Sequence, residues 1–141
     1  MATKLWHVPV RLATGAVILD QGLSKLGMDE ERAKAFHDHG ALEAMAPKDF
    51  LQLLTAGEIA LGASLLGIGL VPPGLAGLGL TAFGGSLTRL YLTAPGMRRE
   101  GSLGPTQQGI ALVKDSWMLA IGAALVLDAL FGPRRRRRKR R

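Results

Sequence analysis

Four long apolar stretches divide the chain, and polar residues collect between them. They run over residues 8–27, 49–71, 74–94 and 108–131. Each is about 20 residues, the length at which a helix crosses ~30 Å of hydrocarbon. A soluble four-helix bundle needs a polar stripe on every helix. The second and third stretches, with LTAGEIALGASLLGIGLV and GLAGLGLTAFGGSL, are apolar all round. The pattern predicts an all-α integral membrane bundle. Its four transmembrane helices run up, down, up and down within a domain of residues 1–133.

The connections differ in character. Met28 to Lys48 is polar and acidic, and its Ala, Glu and Leu spacing predicts an interfacial helix interrupted at Gly40. The second connection is only VPPG. Its prolines stop one helix and open the next, which predicts a tight antiparallel hairpin of spans two and three. The third, Pro95 to Gln107, carries Gly96, Gly101, Gly104 and Pro105 and reads as an irregular loop. No small-residue cleavage site follows the first stretch, where Asp20, Gln21 and Lys25 come next. It is therefore expected to be a retained span rather than a signal peptide. Ala56, Ala60 and Ser64 recur every four residues, as do Ala120 and Ala124. This spacing lets membrane helices approach closely, and packing within the chain is the expected use.

Six ionisable residues interrupt the spans: Asp20, Lys25, Glu58, Arg89, Lys114 and Asp115. At ~1.5 Å rise per residue, most fall roughly 7–15 Å below the outer ends of their helices, with Lys25 near the rim. All four spans thus contribute to one polar layer, with three acids balancing three bases. An unpaired charge at the bilayer centre costs at least ~2.5 kcal/mol, so mutual pairing is expected. Lys114 and Asp115 are adjacent, about 100° apart on a helix. Each is expected to reach a different helix, for instance Lys114 to Glu58 or Asp20, and Asp115 to Arg89. Two roles stay open for the layer. It is either a structural clamp, or a site for a polar ligand, a quinone headgroup or a proton path. Shallow Lys25 and Arg89 have a third option, snorkelling outward.

Charge and composition narrow the classes. The 141 residues carry a formal net charge of +7. The cytoplasmic tail at 134–141 consists of Arg134, Arg135, Arg136, Arg137, Arg138, Lys139, Arg140 and Arg141. It supplies all of the excess, so no basic surface of the nucleic-acid-binding kind is expected. A basic run directly after a span suits anionic lipid headgroups. Lys4, Arg11 and the tail share one side of an even-numbered bundle, while acidic residues dilute the bases of the long loops. Both termini are therefore expected in the cytoplasm, in an integral cell-membrane protein. Asp128 is expected at the interface, close to that tail.

The absence of cysteine excludes disulfides, thiolate metal sites, iron–sulfur clusters and attached c-type haem. His37 and His39 lie together in HDHG without further converging ligands, so no metal site is expected. No histidine lies in the middle of a span, so haem is not expected either. No catalytic motif is present, and no catalytic residue is assigned. Trp6, Tyr91 and Trp117 fall where an aromatic belt would be.

Three stretches carry a resemblance. RLATGAVILDQGLSKLG, with Arg11, Gly15, Gly22 and Lys25, resembles the opening helix of the DoxX family of small four-helix membrane proteins. TAGEIALGASLLGIGL, with Glu58 and Gly62, resembles the family's glutamate-bearing helix, and ALVKDSWMLAIGAALVL its closing helix. The resemblance spans Arg11 to Phe131 and excludes the acidic first loop and the tail. It implies a four-helix membrane bundle associated with redox systems, either a quinone oxidoreductase or an oxidative-stress complex. The family supplies no agreed catalytic residues. The first expectation is accordingly a non-catalytic accessory or anchoring subunit with a protein partner and a quinone as candidate ligand. The alternative is a small proton-coupled transporter that uses the charged layer.

Overall fold

A computed structural model describes residues 4–27 and 46–132. These residues are helical apart from turns and two isolated bridges. The helices are α1 (His7–Ser24), α2 (Pro47–Leu66), α3 (Pro73–Thr93), α4 (Gly109–Lys114) and α5 (Ser116–Phe131). The expected interfacial helix and the basic tail lie outside the described residues. Two helical segments are long and apolar enough to cross a membrane: Lys48–Leu66, and the combined α4–α5 segment Gly109–Phe131. α1 falls short because it carries Arg11 and Asp20, and α3 because its glycines and threonines dilute its apolar content. Exposed Leu12, Leu53, Leu75, Leu78, Leu127 and Leu130 leave the outside of the bundle apolar.

The helices form two closely packed pairs, α1 with α2 and α3 with α5. Glycine explains both. A Cβ on Gly62 would meet the Leu19 backbone nitrogen at 2.6 Å, and one on Gly22 would meet that of Ile59 at 2.9 Å. Across the other pair, a Cβ on Gly84 would stand 2.5 Å from the Leu119 nitrogen, and one on Gly122 2.5 Å from the Thr81 nitrogen. Only a hydrogen fits at these positions, so backbone touches backbone.

The VPPG connection does open α3 with Pro73, as expected. However, α2 and α3 make few contacts, so the predicted tight hairpin of spans two and three is not the packing unit. The closest approach recorded between them is a glycine against a flexible side-chain end, Gly79 against Leu61. The alanine spacing also misleads. Ala56, Ala60, Ala120 and Ala124 are exposed, and the close approaches are made by Gly15, Gly22, Gly62, Gly84 and Gly122. The two pairs share a small core of Ile18, Leu65, Ala76, Leu80, Met118 and Leu125.

Two further features bear on the site. The fourth stretch is not one continuous helix. It breaks at Asp115, where Asp115 N–H donates to Leu112 O and Met118 N–H to Asp115 O, both closing 3₁₀-type turns. The loop between α3 and α4 is irregular, as expected, but is cross-tied by its own hydrogen bonds. Arg99 N–H donates to Gly104 O, and Thr106 N–H to Met97 O. Gly96 and Gly101 take positive φ at its bends. Tyr91 is buried, and its hydroxyl donates to Leu103 O at 2.6 Å. It anchors this loop instead of joining an aromatic belt, whereas Trp6 and Trp117 are exposed.

Candidate functional site: a split layer of charge

The heights of the charged residues follow from the helix register. The first turn of α1 meets the last turns of α5: Lys4 Nζ and His7 Nε2 both bond the Asp128 carboxylate, the latter at 3.1 Å. This contact defines the end of the bundle that holds both described termini. Lys4 N–H donates to His7 Nδ1, so Nε2 carries the proton toward Asp128. Counted upward from this contact at ~1.5 Å per residue, Asp20 stands about 20 Å away, Asp115 about 20 Å and Lys114 about 21 Å. Gly74 faces Ala129, which places Arg89 about 22 Å up. Gly22 faces Glu58, which places Glu58 at about the same level, ~22 Å. By this count five of the six charges fall within about 20–22 Å, and Lys25, three residues beyond Gly22, stands higher.

They do not form one network. Lys25 Nζ donates to Glu58 Oε2 at 2.7 Å and to Gln21 O at 3.1 Å. The side chains of this pair are only 9% and 4% exposed. Lys25 therefore turns inward rather than snorkelling to the rim, and it holds the place expected of Lys114. Asp115 is half-buried and has no ion-pair partner among the described residues. Asp20, Arg89 and Lys114 are exposed. Among the described residues none of these three has an ion-pair partner, so the expected Lys114 and Arg89 pairs do not form. The two adjacent charges diverge at the helix break: Asp115 is half-buried and Lys114 exposed. The layer thus divides into an inner trio (Lys25, Glu58, Asp115) and an outer trio (Asp20, Arg89, Lys114).

Two inward residues escaped the sequence reading. Arg11 is fully buried, and its guanidinium clasps the C-terminal end of α2. Its Nε donates to Leu65 O at 2.9 Å, Nη1 to Val71 O at 3.0 Å, and Nη2 to Ser64 O at 2.8 Å. The last carbonyls of a helix lack internal donors and form the negative end of its dipole, so a guanidinium fits there. The available signal was an arginine one turn inside an apolar run. Thr55 lies one turn before Glu58 on the same face of α2, and its buried hydroxyl has no hydrogen-bond partner among the described residues. Threonine in an apolar helix normally donates to a carbonyl one turn back, as Thr14, Thr81 and Thr88 do.

Arg11, Gly15, Gly22, Lys25, Glu58 and Gly62, which carry the resemblance in the first two helices, all meet in the α1–α2 interface. Among the described residues, no group of three or more histidine or acidic side chains is placed to hold a metal ion. Compared with known proteins, the chain matches no family model, no curated protein and no solved structure.

Proposed function

We propose that the chain is an integral membrane protein of four spanning helices, with cytoplasmic termini, and a non-catalytic subunit of a quinone-linked or oxidative-stress redox complex. The observation that carries the site is the buried Lys25–Glu58 pair with, one turn away, the Thr55 hydroxyl that has no partner among the described residues. Intramembrane charge is costly and marks functional positions. A quinone presents carbonyl oxygens, and an ammonium and a free hydroxyl are the donors such oxygens accept from. The redox association itself rests on the resemblance of the three helical stretches to the DoxX family. The basic tail, Arg134 to Arg141, is proposed to hold anionic headgroups on the cytoplasmic face.

The test is affinity purification from native membranes in mild detergent, with mass spectrometry of the proteins and extraction of bound quinone. A stoichiometric redox protein and a quinone content that falls in Thr55→Val are expected. A lone chain without quinone, in several mild detergents, overturns the proposal. One observation favours proton-coupled transport instead: the helix breaks at half-buried Asp115, next to Lys114. In that case proteoliposomes of the chain alone carry a proton flux that Glu58→Gln abolishes.

A further inference from the structure

The outer trio poses a problem that the chain does not solve alone. Asp20, Arg89 and Lys114 lie at one level and face away from the core. Their neighbours outside are apolar or small: Ala16 and Val17 beside Asp20, Ala82 and Ser86 beside Arg89. Gly84 of α3 packs on Leu119 of α5. Five residues on along α3 and five back along the facing segment stand Arg89 and Lys114, so the two cations sit at matching positions. In a bilayer their long stems can lift both cations toward headgroup phosphates. Asp20 has a short stem and no such escape, and lipid offers it no cation at that depth.

We infer that this charged level is a self-association surface, and that Asp20 of one copy pairs with the Lys114 and Arg89 edge of a second copy. The inference rests on the membrane-spanning reading above, but not on the redox or quinone assignment. Charge complementarity selects the occupant. One copy offers an acid and two bases without ion-pair partners among the described residues, and a second copy offers the matching set. A two-fold axis along the membrane normal leaves every height unchanged, so residues at the same level meet at the same level in the partner. A two-fold contact requires Asp20 and the α4–α5 junction to lie on one face; α1 and α5 touch, with His7 bonding Asp128 at the end that holds the described termini. Each such dimer satisfies Asp20 twice.

The experiment uses the full chain, with a fluorophore on its C-terminus, in phosphatidylcholine vesicles at low protein density. Subunits are counted by single-molecule photobleaching. The wild-type chain is expected to show two-step bleaching. Asp20→Lys copies repel one another, as do Lys114→Asp copies, and each alone is expected to dimerise at least tenfold more weakly. Mixing the two variants restores both contacts, so mixed dimers are expected at the wild-type level. That recovery also shows that neither variant has merely misfolded. Wild-type chains that bleach in one step at every density overturn the inference, and so do dimers indifferent to both substitutions. Chains that fail to enter the vesicles overturn the membrane reading along with it, and are distinguished by flotation before counting.

Discussion

The two helix pairs are built to the same closeness by different means. α1 and α2 combine glycine contacts with polar ones: the Arg11 clasp at one end and the Lys25–Glu58 pair at the other. α3 and α5 touch through Gly77, Gly84 and Gly122, with no ion pair between them. Of their own charges, Arg89 of α3 faces outward and Asp128 of α5 bonds Lys4 and His7. The first pair is thus specified by directional bonds as well as by shape, and the second by shape alone. Apolar surroundings favour both solutions, because apolar surface gives no preference for helix over lipid. Only the first, however, holds a buried ion pair between its own helices.

Substitutions can break this contrast in order of size. Lys25→Met strands a buried carboxylate and is expected to cost about 4 kcal/mol, seen as a large fall in the detergent unfolding temperature. Adding Glu58→Gln should recover much of the loss. A single variant as stable as wild type would show that the pair holds nothing together. Arg11→Met leaves the end carbonyls of α2 without donors, and about 3 kcal/mol is expected from the same measurement. Gly84→Ala forces α5 away from α3 and should cost about 2 kcal/mol. Gly62→Ala should cost a similar amount in the other pair, and a much smaller effect would mean that the polar contacts alone hold α1 on α2. Lys114→Gln breaks no ion pair among the described residues, so the stability of the isolated chain should change by less than about 0.5 kcal/mol. A loss as large as that of Lys25→Met would restore Lys114 to the interior.

The positions of the helices were legible because apolar runs of about 20 residues admit few alternatives. The common level of the charges was legible too, since height needs only a count of residues. The direction in which each charge faces was not. Lys25 and Lys114 are equivalent by composition and nearly so by height, and only the glycine contacts of α1 with α2 turn Lys25 inward. The alanine stripes and the glycines obey the same spacing rule, and sequence gave no means to rank them. Arg11 was read as a topological charge because a C-terminal helix clasp depends on a carbonyl cluster 54 residues away. The Asp115 break has no proline or glycine to announce it.

The Lys4–His7–Asp128 contact has one more consequence. It ties the first pair to the second at the end that holds the described termini, and the short connection from Gly67 to Pro72 joins them at that same end. Among the described residues, no hydrogen bond or ion pair joins the two pairs at the opposite end. Between the ends the two pairs meet through the apolar side chains of the shared core, Ile18, Leu65, Ala76, Leu80, Met118 and Leu125. The end that carries Glu58 thus depends on packing to stay against the second pair, whereas the end that carries the described termini has directional bonds as well.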